Sequence, residues 1–550
     1  MQHAAPLPHT TSRRTFFKAG VAAGATLAAS ALLPASPLIP SQALAGDAST
    51  PSQVIVTMTP SSEPAAGFDP LLSWGCGEHV HEPLIQSTLI TTNTELEFVN
   101  DLATSYECSD DGLTWTFTIR DDVKFTDGEP LTAHDVAFTV MGVATSTAGT
   151  ADLTMVESAE ATDDTTVVIT LTKPFNALLY TLAVVGIVPE HAYGPDYGAN
   201  PIGSGRYMLE QWDRGQQVIL KANPDYYGEK PTMDRVIVVF MEEDASLAAA
   251  QSGQVDVAYT SAAFADLAPA GYGLLVCTSV DSRGISLPCV AAGGTKGDGD
   301  VDYPMGNDVT CDLAIRQAMN YGLDRQASVN NVLNGYGTVA YSVSDGMPWY
   351  SPYMACEYDA AKAAQLLDDA GWVPGGDGIR EKDGLRASVD LYYAAGDSTR
   401  QALSADFANQ MRALGIEVSI KGASWDDIYP HQYSDLIMWG WGSNAPVELY
   451  ELTYGTGWGN YACYENPTVD AYLDEALAQT NIDDSYEYYQ KAQWDGSEGI
   501  APQGAATWAW IANVDHLYFT REGLYIAPQK PHPHGHGWSL VNNVDQWDWS

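Results

Sequence analysis

The stretch DLATSYECSDDGLTWTFTIRDDVKFTDGEPLTAHDVAFTV, residues 101–140, decides the fold of this chain. Apolar and polar residues alternate over residues 115–119, which is typical of a half-buried strand. The Asp-Gly pair at 127–128 predicts a turn. A helix is predicted from Thr132, because Asp135 follows three residues later in a capping-box position. The stretch therefore predicts a strand, a turn and a helix in that order.

The same stretch resembles the signature of the extracellular solute-binding proteins of family 5, the peptide- and nickel-binding receptors of ABC importers. Further segments resemble the same family in the family's order: residues 156–193, 200–259, 312–337, 358–372 and 466–476. The resemblance implies an exported substrate-binding protein that captures a short peptide or a nickel-type metal chelate. Such a protein delivers its ligand to an ABC permease in the membrane.

Helix and strand patterns along the chain indicate an α/β fold. Amphipathic helices are predicted at residues 312–324 and 359–370, and residues 387–420 read as a strand, a helix and a strand. Residues 291–308 are rich in Gly and Asp, which predicts a loop or a crossing between lobes.

The resemblance implies a two-lobed periplasmic-binding-protein-like fold of class II, in the large cluster with an extra subdomain. The ligand of such a protein binds between the lobes, which close on it about a hinge. Carried over by position, the predicted units are lobe I at 47–93, 200–295 and 505–550, an inserted subdomain at 94–199, and lobe II at 296–504.

The N-terminus predicts a signal peptide over residues 1–45. Residues 12–18, SRRTFFK, resemble the twin-arginine export motif, and Ala43-Leu44-Ala45 offers a cleavage site of small residues. The alternative is a short membrane anchor, but Gly and Pro interrupt the apolar run. We therefore expect a periplasmic or extracytoplasmic protein associated with the cell envelope. No lipid anchor is evident, because the first cysteine is Cys76.

The charge of the chain is strongly acidic, with 25 Lys and Arg against 70 Asp and Glu and a net charge of −45. Such a surface repels nucleic acid and anionic lipid headgroups. The expected partners are a small-molecule ligand and the permease, and the expected state is a monomer. The seven cysteines are an odd number in an oxidising compartment. Cys277 and Cys289 are close enough in sequence to bridge, although spacing alone fixes no pairing.

Histidines cluster at two places, His79 with His81 and His532 with His534 and His536. Alternate residues of an extended chain point the same way, and neutral imidazole is a preferred ligand of nickel, copper and zinc. We predict that the two clusters meet at one face of the cleft and bind a metal or its chelate, with binding that fades below about pH 6.5. The alternatives are an exposed turn, or histidines hydrogen-bonded inside a lobe.

Trp439 and Trp441 lie in a second candidate segment, WGWGSNAPVE. In peptide-binding relatives, the comparable segment has acidic residues after a Trp, and one of them pairs with the α-amine of the peptide. The corresponding positions here are Gly442 and Ala445, and the nearest acid is Glu448. Tryptophans beside glycines fit a flat or apolar ligand, or the stem of a chelator. The alternative is that both tryptophans only pack within the lobe.

No catalytic motif is present: the sequence has no G-x-S-x-G, H-E-x-x-H, Walker loop or G-x-G-x-x-G after a strand. We therefore expect no catalytic residues, no enzymatic activity and no required cofactor, and a bound Ni(II) chelate is one of two candidates for the transported ligand. The alternative function is an exported metal-dependent enzyme that uses the histidine clusters. The lack of a paired Glu or Asp base near them argues against it. Peptide and chelate both stay open as ligands.

Overall fold

The computed structural model describes residues 52–72, 75–76, 79–146, 151–298, 301–535 and 537–550. Side chains at 75, 76, 79, 80 and 298 are outside the description. The predicted signal peptide and His536 lie outside the described residues. Within those residues, no helix has the length and apolar character that a membrane crossing requires.

A seven-stranded mixed sheet forms the first large layer. Gln53–Met58 and Arg235–Phe240 pair in parallel at its centre, with Gln53 opposite Arg235. Both are nearly continuous apolar runs rich in Val and Ile, which is typical of strands covered on both faces. In spatial order the strands are Tyr207–Asp213, Gln217–Ala222, Arg235–Phe240, Gln53–Met58, Val257–Thr260, His516–Arg521 and Tyr272–Cys277.

A six-stranded sheet forms the second large layer. Its spatial order is Gly337–Val339, Trp508–Val514, Ser282–Ser286, Leu436–Trp441, Ser388–Ala394 and Glu417–Ala423. The predicted strand-helix-strand unit is confirmed, because Ser388–Ala394 and Glu417–Ala423 pair in parallel. Helix Ser398–Ala413 connects them.

Two strands from the ranges predicted for lobe I lie in the six-stranded sheet. Ser282–Ser286 and Trp508–Val514 pair with each other there. Ser282–Ser286 also pairs with Leu436–Trp441. Every residue of these two strands is buried. The predicted lobe and subdomain ranges stay predictions.

The deciding stretch forms part of a four-stranded antiparallel sheet, in the order Ala103–Cys108, Thr114–Ile119, Thr166–Leu171 and Val156–Asp163. Helix Ala133–Thr145 packs on this sheet and begins with the predicted capping box of Thr132 and Asp135. The predicted order of strand, turn and helix is therefore confirmed.

The remaining elements are short. The other helices are Leu178–Leu182, Glu243–Gln251, Leu313–Tyr321, Arg325–Val332, Ala360–Asp369, Trp425–Ile428, Val447–Thr453, Pro467–Ala478, Ile482–Gln493 and Trp538–Val541. Single 3-10 turns occupy Pro60–Ser62, Glu190–Ala192, Tyr197–Ala199, Ala265–Leu267, Pro352–Met354, Tyr429–His431 and Val544–Gln546. Small two- and three-stranded sheets comprise Gly75–Cys76, His79–Val80, Ile90–Thr92, Phe98–Asn100, Gly294–Asp298, Val301–Met305, Val373–Pro374, Arg380–Lys382, Leu385–Arg386, Leu524–Tyr525 and Asp548–Trp549.

The chain crosses between the two large sheets at places other than the predicted one. The Gly- and Asp-rich residues 291–308, predicted as a loop or crossing, contain the hairpin strands Gly294–Asp298 and Val301–Met305. The crossings fall instead between Tyr272–Cys277 and Ser282–Ser286, and between Trp508–Val514 and His516–Arg521. Polar residues gather at these two crossings.

Candidate functional site

The C-terminal segment 531–534 lies between the crossing at 278–281 and the loop after strand Leu436–Trp441. The His532 N–H donates to the Thr278 carbonyl at 2.9 Å, and the Val280 N–H donates back to the His532 carbonyl at 2.9 Å. On the other side, the His534 N–H donates to the Gly442 carbonyl at 2.6 Å. Residues distant in sequence thus meet where the two large sheets join.

Asp281 is the buried anion at the centre of this region. Its carboxylate accepts hydrogen bonds from Arg283, from His516 Nε2 at 2.9 Å and from His534 Nδ1 at 2.5 Å. Burial alone would raise the pKa of Asp281, but Arg283 and His534 hold it well below its usual range. The carboxylate therefore stays charged and fixes the positions of its donors.

His532 extends this network by one ring. Its Nδ1 lies 3.1 Å from Nδ1 of His516, whose other nitrogen donates to Asp281. His532 Nε2 lies 3.3 Å from Oε1 of Gln529. Burial holds the pKa of His532 well below its ordinary value. His516 and His532 therefore have their facing nitrogens engaged in hydrogen bonds.

His81 joins the region from a distant part of the sequence. A Cβ added to Gly535 would lie 2.7 Å from His81 Cε1, so the ring packs against the glycine backbone. Only 4% of His81 is exposed, and its Nε2 is buried without a hydrogen-bond partner. Burial, with a smaller contribution from His534, lowers the pKa of His81 to about 3. His81 is therefore a neutral imidazole with one unengaged nitrogen.

Arg400 adds a second buried ion pair. Its Nη1 lies 2.8 Å from Asp397, which caps helix Ser398–Ala413, and its guanidinium lies over the ring of Trp425. A Cβ added to Gly440 would lie 2.5 Å from Arg400 Nη2, 2.6 Å from His534 Cε1 and 2.8 Å from Arg283 Nη1. Only a glycine at position 440 leaves room for these three groups.

Glu448 is a second buried carboxyl group in this region. The backbone N–H groups of Gly442 and Ser443 donate to it, while its Oε2 is buried without a partner. Burial, followed by the charge of Glu451, raises the pKa of Glu448 to about 8. Glu448 is therefore mainly protonated at neutral pH.

Trp439 and Trp441 lie in a buried aromatic cluster on one face of the six-stranded sheet. Trp439 stacks on Tyr461 at 4.1 Å and faces Trp425 at 5.6 Å, with interplanar angles of 13° and 19°. Its indole N–H donates to Ser286 at 3.0 Å. Both faces of Trp439 are covered, which agrees with the packing alternative. A ligand contact by either tryptophan stays a prediction.

The structure brings His81, His532 and His534 into one region. The side chain of His79 and all of His536 lie outside the description. Within the described part of the chain, no three His, Cys, Asp or Glu side chains form a group that could hold a metal ion. The role of the histidines as metal ligands stays a prediction.

The predicted loss of metal binding below about pH 6.5 stays a prediction. Burial lowers the pKa values of His81, His532 and His534, and that of His81 falls to about 3.

Five residues of this region were not predicted from the sequence: Asp281, Arg283, Asp397, Arg400 and His516. Asp397 carried a usable signal, because an Asp at a helix start is a typical N-cap. Asp281, Arg283 and His516 lie in strands or crossings that long-range pairing brings together, and Arg400 lies in the first turn of helix Ser398–Ala413.

Comparison with known proteins identifies the family. The model of the bacterial extracellular solute-binding proteins, family 5, matches residues 97–461. Protein XP55 of Streptomyces lividans is 34% identical over 493 residues, covering 86% of both chains. The oligopeptide-binding protein AppA of Bacillus subtilis is 29% identical over 435 residues, covering 74% of this chain and 77% of its own. The nickel-binding periplasmic protein of Escherichia coli is 28% identical over 378 residues, covering 64% and 67% respectively.

Solved structures show the same two-lobed fold. NikZ from Campylobacter jejuni, in complex with Ni(L-His), superposes with a TM-score of 0.76 at 24% identity, over 90% of this chain and 99% of its own. AppA from Bacillus subtilis, in complex with a nonapeptide, gives 0.72 at 23% identity, over 91% and 100%. The predicted α/β periplasmic-binding-protein-like fold is thus confirmed, and the chain belongs to the bacterial extracellular solute-binding proteins of family 5.

Proposed function

We propose that this protein is exported, captures a small solute between its two lobes and delivers it to an ABC permease. Family membership supports this proposal, as do the periplasmic and oligopeptide-binding relatives. The twin-arginine motif supports export by that route. The protein binds and releases its solute without changing it chemically, as solute-binding proteins do.

The observation that carries the ligand assignment is the unengaged Nε2 of His81. A buried imidazole that stays neutral is a ready donor to a divalent metal ion. The ligand we propose is a nickel-type chelate, in which small organic groups occupy most positions around the metal and one is left for His81. A chelate suits the region better than a bare ion, because His516, His532 and His534 are engaged in hydrogen bonds.

A short peptide is the second candidate, and Glu448 favours it. Its unpartnered Oε2 is a buried acceptor for a ligand ammonium group. Entry of a cation would lower the pKa of Glu448 and ionise it, so peptide capture would release a proton. Arg283 and Arg400 each have a buried Nε without an acceptor, which supports a ligand that carries carboxylates in either case.

Ligand screens on matched variants test the two candidates. Melting temperatures are measured with Ni²⁺–L-histidine or with di- to pentapeptides. The proteins compared are the wild type, His81→Ala, Glu448→Gln and the control His134→Ala, which changes a residue on the exposed side of helix Ala133–Thr145. A ligand that binds the native state raises its melting temperature by mass action. For the chelate, His81→Ala should weaken binding at least about tenfold, equivalent to roughly 1.4 kcal/mol, while His134→Ala changes nothing.

Each result decides between the candidates. If peptides raise the melting temperature of His81→Ala but not that of Glu448→Gln, the peptide and not the chelate is the preferred ligand candidate. If Ni²⁺–L-histidine raises the melting temperature of His81→Ala as much as that of the wild type, His81 does not bind the chelate. Folded protein that responds to neither ligand class would contradict the transport function as stated.

A further inference from the structure

Two cysteines lie side by side although 174 positions separate them in the sequence, from 289 to 463. The Cys289 N–H donates to the carbonyl of Ala462 at 2.7 Å, and Cys463 is the next residue after that acceptor. Standard bond lengths then limit the distance between the two Cα atoms to at most about 7 Å. Disulfides typically join Cα atoms about 4.4–6.8 Å apart.

The surroundings of the two thiols differ in access. Cys289 is partly exposed, whereas Cys463 is buried. Cys289 Sγ lies 3.4 Å from the Leu287 carbonyl, and Cys463 Sγ lies 3.8 Å from the Tyr433 carbonyl. A change of side-chain rotamer at the two cysteines is the motion required to bring the sulfur atoms together.

Cys277 is the alternative partner of Cys289, because the two residues are close in the sequence. Cys277 lies in strand Tyr272–Cys277 of the seven-stranded sheet, opposite His516. Cys289 follows strand Ser282–Ser286 of the other large sheet. The crossing between the sheets therefore separates Cys277 from Cys289.

We propose that Cys289 and Cys463 form an intramolecular disulfide once the protein has been exported. This inference rests on the export included in the proposed function, because disulfides persist in oxidising compartments. The bond would join the residues after Ser282–Ser286 to the turn that carries Tyr461, which stacks on Trp439. It is a modification site that fixes the aromatic cluster beside the candidate ligand region.

The reaction requires an external disulfide as oxidant, either a small-molecule disulfide or an oxidised dithiol oxidoreductase. The Cys289 thiolate attacks one sulfur of the oxidant, which forms a mixed disulfide and releases one thiolate. The Cys463 thiolate then attacks Cys289 Sγ and releases the second. In total, two protein thiols lose two protons and two electrons, and the oxidant becomes two thiols. Burial raises the pKa of both cysteines to about 11, so the reaction should accelerate as the pH rises.

Peptide mapping of the full-length folded protein tests the proposal without depending on export. Reduced protein is exposed to oxidised glutathione at pH 7 and pH 9, denatured, alkylated, and digested with trypsin and a glutamate-specific protease. The expected product joins residues 284–296 to residues 452–465, each of which contains a single cysteine. Cys289→Ser should abolish this product, whereas Cys277→Ser should leave it intact.

The second measurement maps the peptides of protein exported by a host that has a twin-arginine export system. The same cross-linked peptide in exported protein supports the proposal as stated. Alkylation of both cysteines after oxidation at pH 9, or a bond from either cysteine to another residue, would overturn it. If oxidised glutathione forms the bond in purified protein but the exported protein has both thiols free, the claim that the bond forms on export is wrong. The proposed solute-binding function is not affected by that result.

Discussion

Asp281 and Glu448 are buried carboxyl groups of one region whose surroundings shift their pKa values in opposite directions. Asp281 has Arg283 and two imidazole donors, so it stays ionised. For Glu448, burial and the like charge of Glu451 outweigh the backbone N–H groups that donate to it, so its pKa is raised and it holds a proton. The contrast assigns a structural role to Asp281 and leaves Glu448 free to respond to a cationic ligand.

The pH dependence of stability should report the proton on Glu448. Its pKa is about 8 in the folded protein and about 4.3 in the unfolded chain, so folding takes up a proton between these values. Stability from this group therefore falls as the pH rises from about 4.3 to 8 and stays low above that. Glu448→Gln should be more stable than the wild type at pH 9, by at least about 1 kcal/mol, and nearly equal to it at pH 4.

Urea denaturation at pH 4, 7 and 9 measures this difference. The exposed substitution Glu475→Gln, on helix Pro467–Ala478, is the control and should show no such pH dependence. An equal effect of Glu448→Gln at all three pH values would show that the pKa of this carboxyl group is the same in the folded and the unfolded protein.

At the scale of elements, Asp135 shows how a short motif holds a helix in place. One carboxylate oxygen accepts the Thr132 N–H at 2.9 Å, and the other accepts the Glu190 N–H at 3.0 Å. The first bond closes the capping box, and the second fixes the turn Glu190–Ala192 against the start of helix Ala133–Thr145. The capping box was visible in the sequence, whereas the contact with Glu190 was not.

Removal of this carboxylate should destabilise the protein. Asp135→Ala loses the cap and leaves the Glu190 N–H without its acceptor, which together should cost about 2 kcal/mol of unfolding free energy. Asp164→Ala, whose side chain is exposed, is the matched control and should cost less than about 0.5 kcal/mol. Thermal and urea unfolding measure both. Equal stability of the two variants would show that the capping box contributes nothing.

Local signals predicted the elements well, and long-range pairing limited the rest. The helices predicted at 312–324 and 359–370 are present as Leu313–Tyr321 and Ala360–Asp369, because Asp312 and Asp359 accept backbone N–H groups as N-caps. The hairpin in residues 291–308 was missed, since Gly and Asp carry little strand propensity. Spacing suggested the histidine clusters, but the contact of His534 with Asp281 depends on long-range packing that spacing does not contain.

At the scale of the whole molecule, a hydrogen bond joins two helices, one of which follows a strand of the seven-stranded sheet and the other a strand of the six-stranded sheet. Ser398 Oγ, at the start of helix Ser398–Ala413, lies 3.0 and 3.2 Å from the two carboxylate oxygens of Glu243. Glu243 begins helix Glu243–Gln251, which follows a strand of the seven-stranded sheet. Glu243 and Ser398 fall in the ranges predicted for lobe I and lobe II, so this hydrogen bond connects the two predicted lobes.

Loss of this hydroxyl should favour the open arrangement of the lobes. A hydrogen bond to a charged group contributes about 1.5–3 kcal/mol, so Ser398→Ala should shift the equilibrium between closed and open forms at least about tenfold. Small-angle X-ray scattering of the ligand-free protein should give a larger radius of gyration for Ser398→Ala than for the neighbouring control Thr399→Ala. Identical scattering of both variants and the wild type would show that this contact does not hold the lobes together.

Strand His516–Arg521 lies between Val257–Thr260 and Tyr272–Cys277 inside the seven-stranded sheet, although it comes from the last part of the chain. A ribosome must therefore synthesise the chain through residue 521 before this sheet can be completed. Until then the neighbouring strands expose unpaired edges, which are prone to aggregation and are typical binding sites of chaperones. The sheet is thus completed only after the more than 230 residues between Tyr272–Cys277 and His516–Arg521 have been made, and loss of residues 516–521 removes an inner strand of the first large layer.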